Sequence, residues 1–344
     1  MFDPRIFAYG VYGALNVCWR LRCETPLTIR NGLALAYSEG SQAKERGQDL
    51  RLYWRGRRND REVQVTALHY SPRLRGDRVE FIHFAPGSSL RGSWRGWTLW
   101  HLVARERLVG LTPPKKDDDD ETATEAYLAA LDEALDAGYR SYDLVFSLFG
   151  QVADSRIEAR CLEANAGRLR VAVQPFAGVN LRTVDSSGAS MTAHDGPDNV
   201  QRHMAVRSPI DRLTHATKEG GLHHFLEFSK GSVFETQLRI LNPRPWDLGL
   251  LSLWRREMND GMLRFGALAS VGRGRVSVQE ETYEAWGSAR ALQNAGLPAE
   301  QWPTIDDLED PLEGLWQGFL IPPATLSTFE TALRYFLTGG DDVA

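Results

Sequence analysis

The stretch Val79-Glu80-Phe81-Ile82-His83-Phe84-Ala85-Pro86-Gly87-Ser88-Ser89-Leu90-Arg91-Gly92-Ser93-Trp94-Arg95-Gly96 holds a strand, a turn and a helix start in one short run. The β-branched and aromatic residues before Ala85 favour an extended chain. Pro86 and Gly87 interrupt it, and Leu90, Trp94, Trp97, Leu99, Trp100 and Leu102 then supply the apolar surface of a helix reaching about Arg107, with Ser88 or Ser89 as its N-cap. Such a turn sets backbone N–H groups and two hydroxyls at a positive helix end, with Arg91 and Arg95 on one face, a geometry suited to phosphate. No Gly-Lys-Ser/Thr closes the segment and the Gly-x-Gly-x-x-Gly spacing is missing, so a phosphodiester backbone fits better than a nucleoside triphosphate or a dinucleotide.

Upstream, Leu15, Val17, Trp19, Leu21 and Cys23 alternate with polar residues as a half-buried strand does, ending in Thr25-Pro26-Leu27-Thr28-Ile29-Arg30-Asn31-Gly32. Residues 33–62 are arginine-rich and read as a long loop or hairpin excursion. Downstream, Tyr127 to Ala137 reads as an amphipathic helix, Asp143 to Gly150 as an apolar run closed by glycine, and 156–163 and 168–176 as strands. Residues 183–222 are small, polar and turn-forming, with arginines at 202, 207 and 212 and histidines at 194, 203 and 215. Strands follow at Leu222–Glu227 and Ser232–Leu241, then a helix near 247–260 and the glycine-arginine segment Gly266 to Arg275. Strand, turn, helix and antiparallel strands together give an α+β class.

Among 344 residues, 42% hydrophobic, there is enough apolar material for a large core. The net charge of −5 conceals an asymmetry: residues 1–110 carry 18 lysines and arginines against 10 acids, whereas 276–344 carry two against twelve. Thirty-five of the forty basic residues are arginine, whose planar fork suits phosphates and base faces. A GC-rich coding sequence would give the same count. No run approaches the roughly 18 apolar residues of a membrane span and the N-terminus lacks a secretory pattern, so a cytoplasmic protein is expected. Cys18, Cys23 and Cys161 form no zinc-type spacing and read as reduced thiols. The aspartates 117–120 read as a solvated charge block rather than a metal site. Neither a metal nor a cofactor is expected.

Three separated signals resemble the RAMP superfamily, and within it the Cas-seven-type backbone subunits of class 1 CRISPR effector complexes. They are Thr25 to Gly32, similar to an opening strand ending in a glycine turn; Pro86-Gly87-Ser88-Ser89-Leu90-Arg91-Gly92, which matches a Pro-Gly-Ser-Ser-Leu-(Arg/Lys)-Gly motif; and Ile210-Asp211-Arg212-Leu213-Thr214 followed by strand 232–241 and Gly266 to Arg275. The resemblance covers most of 15–278 and implies a ferredoxin-like (RRM-like) core over about 5–32, 63–112, 125–182 and 231–278. It also implies insertions at 33–62 and 183–230, the second a thumb hairpin, with 279–344 as an acidic C-terminal region. It further implies a subunit that polymerises along CRISPR guide RNA (crRNA), in contact with copies of itself, other effector subunits and a complementary target. The residues implied for RNA are Arg30, Asn31, Gly87, Ser88, Ser89, Arg91, Arg95, Arg207, Arg212, Arg273 and Arg275.

No catalytic residue is assigned. Type III relatives carry an aspartate in a loop after the first glycine turn, but here Asn31-Gly32 is followed by Leu33, Ala34, Leu35 and Ala36, and Glu39, Glu45 and Asp49 stand elsewhere. A non-cleaving scaffold of the type IV kind is therefore favoured over a type III target-RNA nuclease. The other alternative is a guide-precursor-processing RNase using His203, His215, His223 or His224. His223-His224 lies in a strand pattern that turns neighbours to opposite faces, which disfavours a joint role.

Overall fold

The computed structural model describes residues 11–37, 63–75, 78–102, 144–150, 166–172, 175–184, 190–191, 202–208, 222–305 and 317–338. Strand β1 (Gly13–Cys23) is built as the alternation requires: Leu15, Val17, Trp19, Leu21 and Cys23 are buried while Arg22 is exposed. β2 (Arg30–Tyr37), β3 (Val63–Leu68), β4 (Tyr70–Arg75) and β5 (Arg78–Phe84) precede helix α1 (Gly87–His101). A helical stretch at 144–149 comes next, then β6 (Leu169–Ala172), β7 (Pro175–Val184), β8 (Ser190–Met191), β9 (Arg202–Arg207), β10 (His223–Phe228) and β11 (Val233–Leu241). Helix α2 (Pro245–Asp260), β12 (Val276–Gly287), α3 (Ala289–Asn294), β13 (Gln317–Leu320) and α4 (Glu330–Thr338) complete the order.

The centre of the larger sheet runs β12-β1-β11-β6, every neighbour antiparallel. In chain order these elements are β1, α1, β6, β11, α2 and β12. That is the split βαβ arrangement of a ferredoxin-like fold, in which each helical crossover joins parallel strands one position apart. β11 alternates as the sequence does, with Phe234, Thr236, Leu238 and Ile240 buried on the face of the two helices.

Three ring contacts of Trp94 knit that layer together. Trp94 of α1 lies 5.8 Å from both Trp19 and Trp254 and meets Phe265 edge-on at 5.4 Å. Two of the three indoles find acceptors: Trp19 Nε1 donates to Tyr283 Oη at 2.7 Å, and Trp254 Nε1 to Thr98 Oγ1 at 3.0 Å, whereas the buried Nε1 of Trp94 has no hydrogen-bond partner among the described residues. Each such ring contributes on the order of 2 kcal/mol by leaving water.

A second sheet, ordered β2-β3-β10-β9, draws on segments that fall between the core elements. Here one expectation changes, and two of the expected insertions acquire strands. Asn31-Gly32 does not end a strand but lies inside β2, at an irregularity where Arg30 faces Leu68 and Ala34 already faces Thr66; the glycine serves a bulge. The loop or hairpin excursion expected from residue 33 is strand as far as Tyr37, β2 pairing antiparallel with β3, and 38–62 lie outside the described residues. The turn-rich stretch 183–230 contains β9 and β10, paired antiparallel from His223 opposite Arg207 to Phe228 opposite Arg202.

The C-terminal region also differs from an appended acidic tail. A boundary at 278 would cut β12, which pairs with β1 along its length, and β13 pairs with β12 in turn. α4 lies on α2 through Trp246 stacked on Phe336 at 4.5 Å, and Gly249 leaves no room for a side chain beside the Phe329 carbonyl, only 2.3 Å from where a Cβ would be. The reason is local pattern: Leu326 and Leu333 are buried apolar residues spread thinly among acids, a signal that net charge obscures. The helix 127–137, the strand 156–163 and the aspartate run 117–120 lie outside the described residues, as does Cys161. No helix among the described residues is long and apolar enough to cross a membrane.

Candidate nucleic-acid interface

Helix α1 begins at Gly87, not at the serines. Pro86 is its N-cap and offers no side-chain hydrogen bond, so Ser88 and Ser89 sit inside the first turn rather than capping it. The fixed φ of Pro86 sets the corner, and its carbonyl already accepts from the amides of Ser89 (3.0 Å) and Leu90 (3.2 Å). The amides of Gly87 and Ser88 are thereby left at the positive helix end. Ser88 is exposed and Ser89 half-buried.

Gly87 is glycine for a packing reason. A Cβ there would stand 2.5 Å from the carbonyl oxygen of Val171, so α1 rests directly on the backbone of β6. Arg91 is half-buried and donates through Nη2 to the Phe149 carbonyl at the end of the 144–149 helix. Burial first, and then the charges of Arg170 and Arg95, draw its pKa below the ordinary arginine value. Arg95 is exposed one turn further on. This end of the helix thus gathers three like charges, Arg91, Arg95 and Arg170.

The second glycine element is a built turn. Gly266, Leu268, Gly272 and Gly274 all have positive φ, at 75°, 66°, 88° and 77°. Two of these glycines are also obligatory by space: a Cβ on Gly266 would lie 2.3 Å from the Thr28 carbonyl oxygen, and one on Gly274 1.9 Å from that of Phe265. The turn docks on the segment after β1 through Ala267 N to Thr28 O (2.8 Å) and Gly274 N to Pro26 O (2.9 Å). Gly272 at the tip has open space around it and, with Ser270 and Val271, is exposed. Because Trp94 touches Phe265, the helix carrying the first motif packs on the residue that leads into the second.

The two arginines of the turn are committed within the chain. Arg273 Nε donates to Glu227 Oε2 at 2.7 Å, and Glu227 is buried with 1% of its side chain accessible. Arg275 lies across Gly261 at the C-terminus of α2, its Nη2 donating to the Asn259 carbonyl at 3.3 Å, where the helix dipole favours a cation. Sequence spacing could not separate such anchoring from ligand binding. Arg30 is exposed, its guanidinium over the Phe225 ring at 5.2 Å, and Arg207 is exposed on β9. Asn31 follows Arg30 in β2, and Arg212 lies outside the described residues.

The open face of the central sheet, opposite the helices, forms a depression of about 520 Å³ over Asn16, Cys18, Gln237, Arg239 and Thr282. Among the described residues no aromatic ring lines it, unlike the sheets of RRM domains, on which aromatics stack bases. His223 is exposed and His224 half-buried on alternate faces of β10, and His215 lies outside the described residues. Burial, and then the neighbouring His223, lowers the pKa of His224. Among the described residues no three His, Cys, Asp or Glu side chains are grouped to hold a metal ion.

Comparison with curated proteins returns no match. A family model described as the RAMP superfamily matches residues 20–277, three quarters of the chain and the span that holds the end of β1, both glycine turns and both core helices. With the βαββαβ core and the glycine turns in that order, this chain belongs to the RAMP superfamily of CRISPR-associated RNA-binding proteins.

Proposed function

We propose that this chain is a guide-RNA-binding backbone subunit of a CRISPR effector complex, of which several copies line up along one crRNA and present it for pairing with a target. The observation that carries the reading is the pair of glycine turns on one layer: the Gly87-Ser88 helix start and the exposed Gly272 tip, linked through Trp94 and Phe265. Backbone amides and cations hold a phosphodiester chain without reading its bases, which a coat for arbitrary guides requires. Ser88, Ser89, Arg91, Arg95, Arg30 and Arg207 would supply the contacts, with Gly87, Arg273 and Arg275 shaping the turns that present them. The β9–β10 pair is the thumb-like element of this reading, and the acidic region 279–344 meets a neighbouring subunit.

A non-cleaving role of the type IV kind is favoured. Residues 31–36, where type III relatives would place a catalytic aspartate, hold no acid and lie in β2. Glu39, Glu45 and Asp49 lie outside the described residues.

The test is to purify the protein from cells that express a matching CRISPR array, measure absorbance ratio and mass, and then add labelled complementary RNA with magnesium. A multi-copy RNA-bound assembly that leaves the target intact is expected. Regularly spaced cuts in the target would replace the scaffold by a nuclease, and an RNA-free monomer would sink the backbone reading.

A further inference from the structure

The face of the second sheet that meets the glycine turn carries an unusual pairing. Phe225 on β10 is only 2% exposed, and two guanidinium groups lie over its ring: Arg30 with Cζ 5.2 Å from the centroid and Arg273 with Cζ 5.9 Å away. The two cations differ in what neutralises them. Arg273 is tied by two nitrogens to buried Glu227. Arg30 is exposed, and no carboxylate among the described residues pairs with it.

A guanidinium held over a ring, and not by an acid, has no neighbouring carboxylate to offset its charge. Arg30 is exposed, so part of its surface is open to solvent. That surface can stack on a nucleobase, because every base has a π face and arginine adds a cation–π attraction. Two residues along β10, about 7 Å away, His223 stands directly opposite Arg207 of β9, and both are exposed on the same face as Phe225. The ring, its covering arginine and this polar pair form a strip that starts beside the Gly272 turn.

We infer that Arg30, seated on Phe225, is a nucleobase-stacking platform for single-stranded RNA, with Arg207 and His223 meeting the adjoining phosphate. The inference rests on the RNA-binding reading above and adds a base contact to an interface otherwise made of backbone contacts. It is tolerant of sequence, since stacking does not distinguish one base strongly from another.

The test uses the full chain and two fluorescent oligoribonucleotides of equal length and charge, one complete and one with its central nucleotides abasic. Binding is followed by anisotropy at several salt concentrations. Arg30→Lys keeps the charge and loses the plane; it is expected to weaken binding of the complete oligomer about tenfold and of the abasic one hardly at all. Phe225→Leu is expected to lose the same base-dependent part, with its fold checked by thermal melting. Arg207→Ala is expected to weaken both oligomers alike and lower the salt slope by about one. Equal affinities of Arg30→Lys and the wild type for the complete oligomer, or equal losses on both oligomers, would overturn the platform. If the wild type binds neither oligomer, it is the RNA-binding reading that fails, a separate outcome.

Discussion

Arg168 and Asp247 face each other through two hydrogen bonds, Nη1 to Oδ2 at 2.6 Å and Nη2 to Oδ1 at 2.9 Å, with 4% and 0% of their side chains accessible. The pair also holds backbone from three places: Arg168 Nη1 donates to the Asn242 carbonyl, the Arg168 amide to the Ser147 carbonyl, and Asp247 accepts from the Arg244 amide at the start of α2. Desolvation acts against the Arg168 charge, and Asp247, by charge and hydrogen bond, outweighs it, so the Arg168 pKa is raised. A bidentate pair so placed fixes register among β6, the 144–149 helix and α2, whatever its net contribution to stability.

Removing one partner leaves the other charged, buried and alone. Asp247→Ala is expected to cost about 3–5 kcal/mol, whereas replacing both residues by apolar side chains of similar volume should recover most of it. Urea melts of the single and double variants, compared at constant m-value, check this.

The glycine turn offers a graded series. Gly274→Ala puts a methyl group 1.9 Å from the Phe265 carbonyl at φ 77°, so the turn has to leave its dock on Pro26. Gly272→Ala, at φ 88° but with open space around it, bears only the conformational cost of about 1–2 kcal/mol. RNA affinity should fall far more in the first variant than in the second, and thermal melting should rank them in the same order.

At the helix start, Arg95→Ala should lower the slope of log affinity against log salt by about one with little change in melting temperature, because Arg95 is exposed. Arg91→Ala should change both, since it also takes a donor from the Phe149 carbonyl. Gly87→Ala should unseat α1 from β6, costing about 1–3 kcal/mol by overpacking. Filter binding over a salt series, alongside melting, separates the three.

Burial pushes the Cys23 thiol up from 9.0 to about 12, with Glu24 adding to it, and raises Cys18 by burial and the surrounding Glu235, Glu284 and Glu280. A group whose folded pKa exceeds its unfolded value stabilises below the unfolded pKa and loses that contribution as pH rises through the folded one. Stability should therefore fall between about pH 9 and pH 12 by an amount that Cys23→Ala reduces. Peptide mapping after mild alkylation at neutral pH should find Cys18, half-buried, modified before Cys23.

The alternation Leu15 to Cys23 and Phe234 to Ile240 specified the two central strands, because a period of two on a half-buried sheet leaves a direct imprint in hydrophobicity. The Pro-Gly-Ser-Ser turn specified the start of α1 to within three residues, since proline and glycine act through local backbone geometry. Those local signals, in order, were enough for the α+β class and the family. What tertiary structure alone decided is which cations are spoken for. Arg273 finds Glu227 across 46 residues and Arg168 finds Asp247 across 79, while Arg30 finds the ring of Phe225. Nothing in the spacing along the chain encodes these meetings, because an ion pair or a stacked guanidinium depends on where strands and helices cross, and the same arginine is anchor or ligand according to the partner that folding delivers.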